Sequence, residues 1–289
     1  MIFFKRITFK DFIINYLYIK ARLLAEYFWF TLPNIRKINK IKKLEKSQKG
    51  KNAFVFANGS SMSKLDPYKI KKFQELGYDV FAGNSYINSH FAEIVNPNYY
   101  IFSDHVHFGI KCSKEVAEKY SQDVKKILKL GVPIFIPHRY CKGIDWPNTI
   151  VFNDSIDIFS NNVIDMTKRK GYVSMTLFKA LSAACYMGYD KIYISGFDND
   201  YFKHLQVDEN NDIYYLDIHF YDEKNSKNFQ RKEEIHSSMG EVLLNTSLIF
   251  DGLQKFKNLP IVNLDKNGLV DSFSKNHILD VYKNEELSS

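Results

Sequence analysis

Short apolar runs that alternate with helical patterns are the feature that most limits the folds open to this chain. After Gly50, the run "AFVF" precedes the helical pattern "KLDPYKIKKFQELG", and the strand-like "YDVFAG" follows. Further strand-like runs are "NYYIFSD", "VPIFIPHR", "NTIVFND", "KIYISGFD" and "LPIVNLDKNG", and further helical patterns are "YVSMTLFKALSAACYMGY" and "LLNTSLIFDGLQKFKN". This alternation predicts an α/β fold, a Rossmann-like parallel sheet with helices on both faces.

Polar residues and glycines collect where the predicted strands end. They are Asn58, Gly59, Ser60, Gly83, Asn84, Ser103, Asp104, Gly196 and Asp198. In open parallel sheets, ligands bind beyond the carboxyl ends of the strands, near the point where the strand order reverses. Glycine lets a backbone approach a ligand closely, turn N–H groups can hold a phosphate, and a carboxylate can accept from ribose hydroxyls.

The joint pattern therefore predicts a nucleotide site, although each residue alone also suits an ordinary turn. The stretch "NGSSM" is neither GxGxxG nor GxxxxGK[ST], so the sequence supports neither a dinucleotide site nor a P-loop.

Charge is concentrated in the first 50 residues, which hold 12 Lys or Arg against three acidic residues, a net of +9. The whole chain carries +7, which leaves −2 for residues 51–289. We therefore divide the chain into a basic amphipathic segment, 1–50, and a nucleotide-sugar-binding domain, 51–289. No recognition motif for nucleic acid accompanies the basic charge, so nucleic acid is not an expected partner.

The basic segment has the pattern of helices that lie on an anionic membrane surface. Its longest uncharged stretches, 12–19 and 27–35, are too short to span a bilayer, and no signal-peptide cleavage site is present. Apolar residues recur every third position at Ile35, Ile38, Ile41 and Leu44. The alternative is a helix packed on the domain with a solvated basic face. The membrane interpretation places the protein peripherally on the cytoplasmic side of the inner membrane.

The three cysteines, Cys112, Cys141 and Cys185, form no CxxC pair. An odd count without paired spacing favours a reducing compartment and argues against a disulfide framework or a structural zinc site.

Three stretches together resemble the bacterial sialyltransferases of glycosyltransferase family 42: "FVFANGSSMSKLD", "YDVFAGNSY" and "SMTLFKALSAACYMGYDKIYISGFD". The similarity spans residues 52–265 and extends to looser relatives, which include motility accessory factor glycosyltransferases and a pterin pyrophosphokinase. It implies a GT-A-like variant of the Rossmann-like fold. It also implies a nucleotide-sugar donor and an acceptor that is a cell-surface glycan or a glycolipid.

The resemblance assigns roles to individual residues. It implies that His236, in "IHSSMG", is the general base and that Tyr201 contacts the leaving phosphate, with Tyr214 or Tyr215 as a second such tyrosine. The donor-binding residues that it implies are Asn58, Gly59, Ser60, Asn84, Ser103, Ser174, Thr176, Gly196 and Asp198. The chain departs from the family where Ser60 replaces a proline and Ser103 replaces an asparagine. Around Thr176, Met175 and Leu177 replace the Thr and Gly of the family's T-S-G motif.

The residues also indicate chemistry directly. A histidine is a suitable base near neutral pH for an acceptor hydroxyl, and tyrosine hydroxyls can stabilise a departing phosphate without a metal. The triplet "DND" at 198–200 offers a metal-diphosphate site as the competing interpretation. We expect no cofactor and no essential metal. We expect His138, His204, His219 and His277 to be polar surface residues.

These observations predict a sialyltransferase-like enzyme. It would transfer sialic acid or a related nonulosonate from a CMP-activated donor, as in the synthesis of capsule or lipopolysaccharide. The alternatives are a nucleotide-dependent pyrophosphokinase and a non-enzymatic membrane-attached scaffold with a degenerate nucleotide site. A homo-oligomer is compatible with the sequence.

Overall fold

The structure is a computed structural model that describes residues 9–157, 160–173, 175–216, 220, 229–231, 238–277 and 281. Its strands are β1 Asn52–Phe56, β2 Asp79–Gly83, β3 Tyr99–Ile101, β4 Ile134–Pro137, β5 Thr149–Phe152, β6 Lys191–Ser195, β7 Gln206–Val207, β8 Ile213–Leu216, β9 Phe229–Arg231, β10 Ile261–Asn263 and β11 Ser274–Lys275. Eight of them form one sheet in the order β11-β10-β6-β1-β2-β3-β4-β5, and every adjacent pair in it is parallel. The predicted α/β, Rossmann-like fold is confirmed.

Helices cover the sheet. They are α1 Phe9–Glu26, α2 Leu32–Asn39, α3 Pro67–Glu75, α4 His90–Ile94, α5 Lys114–Leu130, α6 Thr176–Met187 and α7 Met239–Gln254. A π-helical turn, Tyr27–Thr31, joins α1 to α2, and a 3₁₀ turn, Lys40–Leu44, follows α2. The helix α6 ends where the sequence predicts, because Gly188 adopts the left-handed conformation (φ +80°) that terminates helices.

Each central strand is apolar on both faces, as a covered parallel sheet requires. In β1, Phe54 and Phe56 belong to one buried cluster and Ala53 and Val55 to the other. The first cluster also contains buried residues of α3, α4 and α5, whereas the second contains those of α6 and the end of α7. The apolar strand-like runs of the sequence therefore form the middle layer of three.

The segment around α2 packs beside β5, the edge strand. Ile38 and Ile41 are fully buried, and each belongs to one of the two clusters. Their three-residue spacing thus reflects packing on the domain, which was the alternative to a helix on a membrane surface. The division of the chain at residue 50 stays a prediction, but Ile38 and Ile41 share the core of the domain.

The end of α1 is attached to the domain by polar contacts. Glu26 Oε1 accepts from Arg139 Nη2 at 2.8 Å and from Ser155 Oγ at 3.0 Å. Thr31 Oγ1 lies 3.3 Å from His138 Nε2. We expected His138 to be a surface residue. It is instead completely buried, because the N-terminal segment covers it.

The outer side of this N-terminal segment is apolar and exposed. Its exposed apolar ridge consists of Leu24, Phe28, Trp29, Phe30 and Leu32, with Trp29 exposed to 77%. None of the helices among the described residues has the length and hydropathy to cross a membrane.

A small antiparallel sheet, in the order β7-β8-β9, follows β6 in the chain. Between β8 and β9, Phe220 donates its backbone N–H to the Asn58 carbonyl at 3.1 Å. The Phe220 ring packs against Tyr86 and Phe91 of the domain. Phe220 therefore lies over the turn that follows β1.

Candidate functional site

The strand order reverses between β1 and β6. Successive strands β2 to β5 extend from one side of β1, and β6, β10 and β11 extend from the other. The turns that follow β1 and β6 are joined by backbone hydrogen bonds from Ala57 N to Ser195 O (2.9 Å) and from Gly59 N to Gly196 O (3.0 Å). The Ser61 hydroxyl also accepts from Gly196 N at 3.0 Å. This is the edge at which ligands bind in open α/β sheets.

Close approach of the two turns requires glycine at both. A Cβ at position 59 would lie 2.5 Å from the Gly196 carbonyl oxygen and 2.7 Å from Asp198 Oδ2. Gly196 has φ +78°, and a Cβ there would overlap the Ala57 carbonyl. Gly59 and Gly196 are thus needed for the shape of the site, whatever contacts they make with a ligand.

One carboxylate oxygen of Asp198 binds the turn after β1, and the other has no hydrogen-bond partner among the described residues. Its Oδ2 accepts from Ser60 Oγ at 3.0 Å and from Ser61 N at 2.9 Å. Its Oδ1 is buried without a hydrogen-bond partner among the described residues, and the same holds for Asn58 Oδ1 and Asn199 Nδ2. Buried polar atoms without partners are costly and rare, so these three atoms at one strand edge indicate a ligand that would satisfy them.

A second cluster lies at the ends of β2 and β3 and at the start of α6. Thr176 Oγ1 donates to Asn84 Oδ1 at 3.3 Å and lies 2.5 Å from Ser103 Oγ. Asn84 adopts a left-handed conformation (φ +52°), and its carbonyl accepts from Tyr100 OH at 2.6 Å. These bonds fix the orientation of the Asn84 and Thr176 side chains at the entrance to α6.

The two clusters face one cavity of about 460 Å³, the size of an ordinary small-ligand site. One part of its wall is polar, with Asn58, Ser60, Asn84, Thr176 and Asp198. The other part is apolar and is formed by Ile101, Met175, Leu177, Phe178, Ile249 and Leu253. A ligand with both a flat apolar part and several hydroxyl or phosphate groups fits such a wall.

The structure brings together most of the residues that the sequence implied. The donor-binding candidates that line the cavity are Asn58, Gly59, Ser60, Asn84, Thr176, Gly196 and Asp198. Ser103 is buried behind them and reaches the cavity only through its bond to Thr176. Their roles toward a donor stay predictions.

Most of the remaining candidates lie wholly or partly outside the described residues. Ser174 and the proposed base His236 are outside the described residues, as is the side chain of Tyr201, whose backbone begins a 3₁₀ turn that ends at His204. Tyr214 is described and lies on β8, where it pairs with Gln206 and Arg231, but it does not line the cavity. The side chain of Tyr215 is not described. The choice between these tyrosines therefore stays open.

Sequence reasoning missed several residues of the cavity wall. His204, which we took as a surface residue, is exposed but lines the cavity together with Asn199 and Asp200, which the sequence offered only as part of the metal alternative. Their signal was position, since all three follow β6 within nine residues. Asp104, which the sequence did place at a strand end, also lines the cavity. The apolar residues Ile249 and Leu253 carried no such signal, because a core-facing helix has the same pattern.

Behind Asp104, His107 is buried against the rings of Phe102 and Tyr120, at centroid distances of 4.6 and 4.8 Å. Neither ring nitrogen has a hydrogen-bond partner among the described residues. Burial lowers the pKa of His107, against the opposing effect of Asp104. A neutral imidazole at this point adds no positive charge beside the cavity.

The "DND" triplet is used differently at its two ends. Asp198 faces the turn after β1, as described, whereas Asp200 Oδ2 lies 3.7 Å from Lys203 Nζ. Among the described residues, no group of three or more His, Cys, Asp or Glu is arranged to hold a metal ion. The competing metal interpretation therefore gains no support from these two carboxylates, and metal independence stays a prediction.

Comparison with known proteins finds distant structural similarity alone. No family model and no curated protein matches the chain. One similar solved structure is that of the MAf glycosyltransferase from Magnetospirillum magneticum AMB-1, with 11% sequence identity and a TM-score of 0.50. The similarity covers 84% of this chain and 37% of that one, so this chain spans little more than a third of its length. At this identity the likeness concerns the fold, and both chains share a Rossmann-like α/β arrangement.

Proposed function

We propose that this protein is a glycosyltransferase that binds a nucleotide sugar in the cavity at the β1–β6 reversal. The observation that carries the proposal is the set of unsatisfied buried atoms there, Asn58 Oδ1, Asp198 Oδ1 and Asn199 Nδ2, beside an apolar wall. The two oxygens are acceptors, which suits ribose or sugar hydroxyls, and the amide nitrogen is a donor, which suits a phosphate or carbonyl oxygen. The apolar wall suits a nucleotide base. The fold shared with a solved glycosyltransferase supports the same conclusion.

The finer assignment follows the motifs. The donor is a CMP-activated sialic acid or related nonulosonate, and the acceptor is a hydroxyl of a surface glycan or lipid-linked precursor. His236 is the general base that removes the proton of the acceptor hydroxyl, and Tyr201 stabilises the leaving phosphate. No metal is essential to this mechanism, since hydroxyl donors can stabilise the departing charge.

The first experiment identifies the nucleotide. CMP, UDP and ATP are titrated into the wild-type protein and into Asp198→Ala by calorimetry. We expect CMP to bind best and Asp198→Ala to lose about 1–3 kcal/mol of binding free energy, roughly a 5- to 150-fold weaker Kd, because one buried acceptor is removed. The matched control is Asp190→Ala, since Asp190 lies at the opposite, amino end of β6. Equal CMP affinity in wild type and Asp198→Ala would place the nucleotide elsewhere.

The second experiment identifies the reaction. Hydrolysis of CMP-sugars, UDP-sugars and ATP is measured with and without EDTA. We expect cleavage of a CMP-sugar that persists in EDTA. Cleavage of ATP that EDTA abolishes would instead indicate the pyrophosphokinase, and no turnover with any substrate would indicate the scaffold.

The third experiment tests the base. In His236→Ala, we expect turnover with a competent donor and acceptor to fall by about 10²–10⁴-fold, the usual effect of losing general base catalysis. Donor affinity should hardly change. His90→Ala is the control, because His90 is exposed and pairs only with the neighbouring Glu93 among the described residues. Full activity in His236→Ala would remove this residue from the mechanism.

We also propose that the N-terminal segment holds the enzyme on the cytoplasmic face of an anionic membrane. The exposed apolar ridge offers aromatic side chains suited to a lipid interface, and the basic charge of residues 1–50 complements anionic lipid. Phe28→Ala combined with Trp29→Ala should lower the fraction of protein that sediments with phosphatidylglycerol vesicles. Tyr68→Ala, which removes an exposed aromatic from α3, should not. Unchanged sedimentation of the double variant would reject the ridge as the contact.

A further inference from the structure

A second cavity, of about 650 Å³, lies between α1 and a loop of which residues 153–157 and 160–169 are described. Its lining residues do not overlap with those of the first cavity among the described residues. The helical side of the wall carries Leu24, Tyr27 and Ile35, which recur every three to eight residues along one side of the N-terminal helices. This side is apolar.

The opposite side of this second cavity is polar and basic. It includes Lys168 and Arg169 from the loop and Lys20 from α1. Lys20 Nζ lies 3.8 Å from Asp157 Oδ2 and Lys168 Nζ lies 3.0 Å from Asp165 Oδ2, so Arg169 is the cation of this wall without a carboxylate partner among the described residues. Among the described residues, the Arg169 side chain has one hydrogen bond, from Nη2 to the Leu23 carbonyl. A guanidinium has five N–H donors, so four remain for a ligand. The charge of Arg169, which no carboxylate among the described residues neutralises, and these N–H donors favour an anion.

The cavity is continuous with the exposed apolar ridge. Leu24 belongs to both, since it lines the cavity and is 57% exposed. Phe28 stands four residues later and therefore lies on the same side of the helical rod. An alkyl chain could pass from the cavity along Leu24 to Phe28 and reach the membrane contact of the ridge without crossing a polar surface.

We propose that this second cavity binds a phosphate-bearing lipid of the membrane. The phosphate contacts Arg169 and Lys168, and the acyl or isoprenyl chain lies along Leu24 and Tyr27 toward the ridge. The partner is a lipid rather than a free phosphate, because half of the wall is apolar and opens onto an exposed apolar surface. The proposal rests on the proposed membrane association, but it does not depend on the reaction at the first cavity.

The test uses soluble short-chain lipids, so that binding in the cavity is separated from binding to a bilayer. Dihexanoyl phosphatidic acid, dihexanoyl phosphatidylcholine and inorganic phosphate are each titrated into the full chain below the micellar concentration. We expect phosphatidic acid to bind about 10-fold more tightly than either of the others, because it alone offers both the doubly charged phosphate and the chains. Equal affinity for inorganic phosphate, or for phosphatidylcholine, would overturn the proposal.

Two double variants are compared, each of which removes two positive charges. Lys168→Gln with Arg169→Gln should weaken phosphatidic acid binding by about 10-fold, whereas Lys125→Gln with Lys129→Gln on the exposed side of α5 should not. CMP binding at the first cavity is measured in the same variants. Lipid binding lost with CMP binding intact supports the second site. Loss of both lipid and CMP binding indicates that the Lys168→Gln, Arg169→Gln variant is misfolded. In that case Leu24→Ser, which leaves the basic loop intact, is tested instead. Unchanged phosphatidic acid binding in Leu24→Ser refutes the site.

Discussion

His138 should make the stability of this protein sensitive to acid. The ring is completely buried, and its Nδ1 accepts from the backbone N–H of Asp154 at 3.0 Å. A nitrogen that accepts carries no proton, so the ring is neutral, with its proton on Nε2 toward Thr31. Burial, followed by the positive charge of Arg139, lowers the pKa of His138 to about 4, although Asp154 acts in the opposite direction.

The size of the effect follows from the two pKa values. In the unfolded chain the imidazole has a pKa of about 6.5, and the difference from about 4 is worth about 3 kcal/mol, at about 1.36 kcal/mol per pKa unit. As the pH falls below 6.5, the unfolded chain binds the proton first, which favours unfolding. The contribution is therefore complete above pH 6.5 and is lost progressively as the pH falls to about 4.

The measurement compares wild type with His138→Asn in urea unfolding at pH 7, 6, 5 and 4. The asparagine oxygen can still accept from the Asp154 N–H but does not titrate in this range. Between pH 7 and pH 4, wild type should lose about 3 kcal/mol more unfolding free energy than the variant, at similar m-values. Carboxylates elsewhere titrate in both proteins and cancel in the comparison. Parallel pH curves for the two proteins would show that the His138 environment does not hold the ring neutral.

Three further substitutions probe the fold and the first cavity. Gly196→Ala should destabilise the protein by more than about 1 kcal/mol and weaken CMP binding, since its Cβ would overlap the Ala57 carbonyl. Gly131→Ala is the control for backbone strain alone, because Gly131 has a similar φ but open space around it. Equal melting temperatures of the two variants would contradict the predicted overlap. Ile38→Ala should cost about 2–5 kcal/mol in denaturant unfolding, because Ile38 belongs to the core; a loss below about 1 kcal/mol would show that α2 is only loosely attached. Thr176→Val removes the hydroxyl that joins Asn84 to Ser103 and should weaken CMP binding about 10-fold with little change in melting temperature; unchanged affinity would remove this cluster from the site.

The sequence by itself determined the sheet and its functional edge. Strands buried on both faces must be apolar, and parallel strands must be joined by helices, so the alternation of the two patterns has few other solutions. The turns after β1 and β6 could also be located, because Gly59 and Gly196 follow the ends of two apolar runs. The end of an apolar run is a local feature that the sequence reports, whereas the close approach of the two turns that requires glycine there is a tertiary contact.

Contacts between distant segments were decided only by the tertiary structure. The stripe that contains Ile38 and Ile41 fits a membrane surface and a protein core equally well, because both are apolar, and only the packing beside β5 distinguished them. The sequence suggested a surface position for His138, but in the fold Thr31, 107 residues earlier, lies against its ring. His204 and Leu253 reach the same cavity from different elements, a proximity that no spacing along the chain encodes. Burial and pKa depend on what a fold brings near a residue, whereas the periodicity of apolar residues and the end of an apolar run depend only on neighbours in sequence.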